Sequence, residues 1–196
     1  MINKTDFAKI RKEMELSEHA REQIIRKSRD ILKTSKSAIY SLHRKDTVKA
    51  KKQLDEAKKK IIEIRKVIKK ELTLIYVGAF NEALEEYSEA QCYYGFITKQ
   101  KIPTIKELNV EPETYIAGLS DMTGELVRKA INSAIQGNYE TSINIKKFIE
   151  QLYSELMLFE FKGLLRKKFD SIKYGLEKIE ELVLQIKLKK LGEKKC

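Results

Sequence analysis

Tyr115-Ile-Ala-Gly-Leu-Ser-Asp-Met-Thr-Gly-Glu-Leu-Val-Arg-Lys-Ala-Ile-Asn-Ser-Ala-Ile-Gln-Gly137 reads as one helix with two unlike faces. At the helical period Tyr115, Leu119, Met122, Leu126, Ala130 and Ile131 form an apolar stripe, which a helix in water must bury against neighbours. Asp121, Glu125, Arg128 and Asn132 follow at spacings of four, three and four, so they stack on a second, polar side. Gly118 and Gly124 each cost roughly 1 kcal/mol relative to Ala inside a helix, which predicts that another segment approaches this backbone closely. The polar stripe is read as a site.

Working outward, the composition agrees with helices throughout. The 196 residues include only eight Gly and two Pro, with 42% apolar and 35% charged side chains, which argues against an all-β fold and suits one domain over 1–196. No apolar run reaches the roughly 18 residues of a membrane span, and the Met1 start lacks a secretory apolar segment. A cytoplasmic protein without a membrane partner is expected. Cys92 and Cys196 form neither a zinc pattern nor a disulfide framework. A net charge of +11 favours anionic partners, nucleic acid first.

Toward the N-terminus, a short helix over Thr5–Met14 is expected to precede a second one capped by Ser17. On the second, Ile24, Ile31, Ala38 and Leu42 keep an apolar seam with Ser28 and Ser35 between its turns. Its opposite side is a row of Arg26, Arg29, Lys33, Lys36, Tyr40 and His43 at spacings of three and four. Such a row can track a phosphate backbone while Tyr40 stacks on a base, the composition used by single-strand binders. A third helix, to about Glu71, buries Leu54, Ala57, Ile61, Ile64 and Ile68 and carries lysines interspersed with acids outside. A fourth, from Leu72 to Thr98, has core positions Val77, Phe80, Leu84, Tyr87 and Tyr94, and a second acidic line of Glu82, Glu86, Glu89 and Tyr93. Pro103 and Pro112 break the chain between Lys99 and Glu113, in a loop expected to border the site.

Toward the C-terminus, Gly137-Asn138 starts a helix with Ile145, Phe148, Ile149, Leu152, Leu156 and Phe159 on its apolar face. The last helix runs from Gly163 to about Leu191. Its unbroken seam of Leu165, Phe169, Ile172, Leu176, Ile179, Val183 and Ile186 suits a contact with another subunit, and a long bundle helix has the same pattern.

Two helices thus offer carboxylates in pairs, Glu86 with Glu89 and Asp121 with Glu125. Hard oxygen ligands of this kind suit Mg²⁺ or Mn²⁺. A di-iron bundle requires Glu-x-x-His motifs, whereas His19 and His43 are the only histidines and neither is so placed. No phosphate-cradling glycine loop is present either. Carboxylate-held Mg²⁺ beside a basic row points to phosphodiester hydrolysis. Acid pairs on helices are also commonly just solvated, so spacing alone leaves both readings open.

The string Tyr115 to Arg128, followed by Ile131-Asn-Ser and Gly137, resembles the signature of the translin superfamily, closest to its translin-associated factor X branch. Ser28-Arg-Asp-Ile, Ser35-Lys with Ile39 and Leu42-His-Arg44, and Glu86-Tyr-Ser-Glu-Ala90 with Phe96-Ile97 are similar to further segments of that family. The resemblance implies an all-α antiparallel bundle of about seven helices, a hollow octamer, binding of nucleic acid and, in this branch, Mg²⁺-dependent endoribonuclease activity. It assigns the branch's catalytic acids to Glu86, Glu89, Asp121 and Glu125. The loop between the acidic helices is shorter than in eukaryotic factor X proteins. The expected function is therefore hydrolysis of single-stranded or loosely paired RNA, with Arg128 balancing the acids or contacting phosphate. The alternative is a non-catalytic binder of single-stranded RNA or DNA.

Overall fold

The computed structural model describes residues 2–193, so Cys196 lies outside the described residues. Those residues form helices joined by short connections: α1 (Lys4–His43), α2 (Thr47–Ile68), a 3₁₀ turn (Leu72–Tyr76), α3 (Gly78–Lys99), α4 (Ile105–Leu108), α5 (Pro112–Ile135), α6 (Tyr139–Leu156) and α7 (Gly163–Glu193). The fold is all-α, as expected. Two compact units divide the chain, one ending at Tyr87 and the other beginning at Ser88, and the division falls inside α3.

In the first unit α1 is a single helix of 40 residues where two were expected. Neither Gly nor Pro occurs between Asn3 and Arg44 to interrupt it, and Asn3 caps it by accepting from the Thr5 and Asp6 amides. Ser17 caps nothing; its hydroxyl donates to Glu71 instead. The expected seam is buried. Ile24, Ser28, Ile31, Ser35, Ala38 and Leu42 of α1 and Leu54, Ala57, Ile61, Ile64 and Ile68 of α2 lie in this unit's core, where α1 packs along α2. Small serines let the two axes approach, and Gln53 of α2 donates to Ser37 and accepts from Ser41 at 2.6 and 3.0 Å. Asp46 accepts from the Lys49 amide and so starts α2. The expected fourth helix is broken at Val77, whose extended backbone separates the 3₁₀ turn from α3.

In the second unit α5 packs against α6 and α7. Leu119, Met122, Leu126 and Ala130 are buried as expected, whereas Ile131 faces solvent. The seam of α7 is also internal: Phe169, Ile172, Ile179, Val183 and Ile186 are buried within the chain, so they are not free to form a subunit contact. On α6, Ile145, Ile149 and Leu156 are core while Phe159, past the helix end, is exposed.

Of the two glycines expected to mark a close approach, Gly118 is buried and Gly124 is open. A Cβ on Gly124 would meet nothing within 4 Å. A Cβ on Gly175 of α7 would stand 3.3 Å from Val127 of α5, and one on Gly95 would stand 2.5 Å from the Lys101 carbonyl. The loop after α3 therefore folds back on Gly95. It is fixed further by the Tyr115 hydroxyl, which donates to the Pro103 carbonyl at 2.7 Å, and by the Thr104–Glu107 capping box of α4.

Candidate nucleic-acid and acidic site

The basic row forms as read. Arg26, Arg29, Lys33, Lys36 and Tyr40 are exposed along α1, and His43 is half-buried at its end. The 40-residue helix carries them on the side away from its buried seam, so their spacing along the axis is fixed by the backbone. Within this first unit Lys36 reaches Glu86 on α3, with Nζ 3.6 Å from the carboxylate. The row thereby touches the first of the four predicted acids, whose own side chain is largely covered.

The other three acids belong to the second unit. Glu89 follows Glu86 by one helical turn and is buried. Its negative charge, after burial itself, helps to push the Cys92 thiol up to about 12. Tyr93, one turn further, is fully buried, so it belongs to the core rather than to a line separate from the apolar seam; Tyr94, expected in the core, is half-buried. Burial raises the Tyr93 phenol well above its ordinary range, and the Glu125 carboxylate raises it further while Arg128 opposes. Tyr93 of α3 therefore feels the charges of Glu125 and Arg128 on α5. On α5, Glu125 lies 3.8 Å from Arg128, and Asp121 is held by the Lys168 ammonium of α7. Asn132 continues the stripe as an exposed residue.

Lys168 was missed by sequence reading. Its signal was available: Lys168, Ile172, Gly175 and Ile179 follow at four, three and four, so a lysine heads the stripe that α7 turns toward α5.

Among the described residues no group of three or more acids, imidazoles or thiols stands close enough together to hold a metal ion. The donors are nonetheless hard carboxylate oxygens, the chemistry that Mg²⁺ requires. Lysine ammonium or arginine guanidinium groups already bring positive charge to Glu86, Asp121 and Glu125. The donor set thus suits a small hard cation, in an arrangement where side-chain cations hold three of the four acids.

No helix among the described residues is long and apolar enough to cross a membrane. An uncharacterized protein of Methanocaldococcus jannaschii is 34% identical over 182 residues, covering 88% of this chain and 79% of that protein. Translin-associated protein X of Rattus norvegicus is 23% identical over 225 residues, covering 93% and 78%. Among solved structures, apo-NeC3PO matches with a TM-score of 0.85 at 30% identity over 94% of this chain and 98% of its own. AfC3PO in its complex with duplex RNA matches with a TM-score of 0.86 at 26% identity over 95% and 98%. Residues 19–190, which carry the basic row, all four acids and Lys168, match the Translin family, and the chain belongs to that family.

Proposed function

We propose that this chain is a Mg²⁺-dependent endoribonuclease that binds RNA along Arg26, Arg29, Lys33, Lys36 and Tyr40 and cuts it at Glu86, Glu89, Asp121 and Glu125. The observation that carries the reading is the ion pair between Lys36 and Glu86, which puts the last lysine of a phosphate-tracking row against the first of the four predicted acids. Bound Mg²⁺ would supply Lewis acidity at a phosphate. The protein's own part is to orient. Arg29 and Lys33 neutralise backbone charge, Tyr40 offers a stacking face, and Arg128 holds Glu125 while remaining exposed enough to meet a phosphate. The duplex RNA bound by AfC3PO supports RNA as the ligand class and makes paired RNA a necessary second substrate to assay.

A binding role without cleavage is the second reading. It is favoured by the same side-chain cations, since Lys36, Arg128 and Lys168 already neutralise three acids. The deciding experiment compares wild type with Glu125→Ala on labelled single-stranded and duplex RNA, with Mg²⁺ and with EDTA. Cleavage that needs Mg²⁺ and is lost in Glu125→Ala, with RNA binding retained, is the expected result. Cleavage by the variant at the wild-type rate would remove the acids from the mechanism. Binding without cleavage under all conditions would establish the second reading.

We further propose a closed homo-oligomer, an octamer by the family resemblance, whose interior holds both row and acids. Since the α7 seam is internal, its contacts fall to exposed apolar residues such as Phe7, Ile10 and Met14 on α1 and Leu184, Leu188 and Leu191 on α7. Light scattering of the wild type, compared with Ile10→Asp, tests this assignment. A monomeric wild type would exclude the oligomer, and an oligomer undisturbed by the substitution would move the contact off that stripe of α1.

A further inference from the structure

A cavity of about 610 Å³ lies in the first unit between one face of α1 and the segment that leads from the 3₁₀ turn into α3. Arg21, Ser28, Arg29, Tyr76, Gly78 and Glu82 are among the residues that line it. None of the four predicted acids does. Ser28 is only 1% exposed, and its hydroxyl has no hydrogen-bond partner among the described residues. A buried hydroxyl left in that state costs about 1–3 kcal/mol, so its presence on a cavity wall points to a partner that the chain itself does not provide.

The other groups on the wall define that partner. Arg29 has no carboxylate partner among the described residues, and Arg21 is paired only with exposed Glu18, at 3.6 Å. The 22-residue helix α3 begins here at Gly78; the Phe80 amide is taken by the Val77 carbonyl, and those of Gly78 and Ala79 have no acceptor within the helix. A Cβ on Gly78 would meet nothing within 4 Å, so an incoming group can approach the start of the helix without obstruction. Guanidinium groups, a helix N-terminus and a hydroxyl donor together select a phosphate. Tyr76, 87% exposed at the rim, presents a ring on which a base can stack. Glu82 can accept from a sugar hydroxyl or a base amine.

We propose that this cavity binds a nucleoside phosphate, with the phosphate on Arg29, Ser28 and the start of α3 and the base at Tyr76. The ligand is either a free nucleotide or the phosphorylated end of an RNA strand. It occupies a site distinct from the four acids and does not depend on cleavage there.

The test titrates the intact protein with AMP, adenosine and inorganic phosphate by calorimetry, and follows the melting temperature with each. AMP is expected to bind and raise the melting temperature, while adenosine does neither. Ser28→Ala removes a hydroxyl that lacks a partner, so it should leave the unliganded melting temperature unchanged or higher while weakening AMP about tenfold. Arg29→Gln should weaken it at least as much. Short RNAs with and without a terminal phosphate then identify the source. Tighter binding of the phosphorylated strand, lost in Ser28→Ala, assigns the site to an RNA end; AMP binding with no such preference assigns it to free nucleotide. If AMP, phosphate and the terminal phosphate all fail to bind, or if both variants bind them as the wild type does, the proposal is overturned. Because these readouts involve neither Mg²⁺ nor cutting, their failure leaves the nuclease reading intact, and the converse holds.

Discussion

The two compact units solve the same packing problem with different residues. In the first, the interface between α1 and α2 is studded with serines, and Ser28 and Ser35 are buried without partners among the described residues. In the second, α7 lays Phe169, Ile172, Ile179, Val183 and Ile186 into the chain's own core, and Tyr153 and Phe161 pack on Phe169 with ring centroids 5.1 and 5.2 Å away. Large buried apolar side chains contribute about 1.5–3 kcal/mol each, whereas a buried hydroxyl contributes little and costs energy when left unpaired. Both units bury comparable apolar sets, and they differ in how buried hydroxyls are treated: Ser120, Thr123 and Ser142 of the second donate to backbone carbonyls, whereas Ser28 and Ser35 of the first have no partner among the described residues, and the first keeps its cations on display along α1. Three of the four acids belong to the second unit and the whole cationic row of α1 to the first.

The sharpest way to break this contrast is Ile179→Asp with Val183→Asp. Both positions are nearly inaccessible, at 0% and 4%, and an uncompensated buried charge costs several kcal/mol, comparable with the whole stability of a domain. Loss of cooperative melting by circular dichroism is expected. A folded double variant that has merely dissociated into smaller species would return this seam to the subunit interface.

Gly95→Ala comes next. Its new methyl would collide with the Lys101 carbonyl at 2.5 Å, and relieving such overpacking typically costs about 1–3 kcal/mol. Chemical denaturation should show a lower midpoint with an unchanged slope. A midpoint equal to that of the wild type would mean the loop after α3 yields freely.

In the first unit, Arg29→Ala with Lys36→Ala should cost at most about 1 kcal/mol, nearly all of it from the pair with Glu86, because both cations are exposed. RNA affinity should nonetheless fall, and the plot of log K against log salt should flatten by roughly 0.7 for each phosphate that is no longer neutralised. An unaltered slope would move the RNA path to the lysines of α2. The smallest effect is expected for Gly124→Ala, which adds a methyl into open space on a helix and should raise stability by about 1 kcal/mol. A loss of stability there would mean that a partner chain approaches α5 at this glycine.

These outcomes also mark what could be read from sequence. Periodicity located the buried seams of α1, α2, α5 and α7 because burial imposes the helical repeat directly on residue type. It could not tell an intramolecular seam from an intermolecular one on α7, since both demand the same apolar spacing. Helix ends were less legible. Ser17 looked like a cap, but no residue before Arg44 disrupts the helix and its hydroxyl is claimed by distant Glu71. Gly124 of α5 drew attention although a Cβ there meets nothing within 4 Å, whereas Gly175 of α7, which was not singled out, accommodates a close approach to Val127 of α5. The acids and the basic row were legible as stripes. Their ammonium and guanidinium partners across helices were not, because Lys36 with Glu86 and Lys168 with Asp121 depend on tertiary packing.

The tether between Lys168 and Asp121 has a quantitative consequence for any cation that seeks that carboxylate. Lys168 is an intramolecular competitor: carried on α7, its ammonium never diffuses away and acts at an effective concentration of about millimolar or more. A free cation takes Asp121 only when its concentration, weighted by its own affinity for the carboxylate, outcompetes that local supply. The packing of two helices thus raises the concentration at which an external ion occupies the acid, and shortening or neutralising one lysine lowers it.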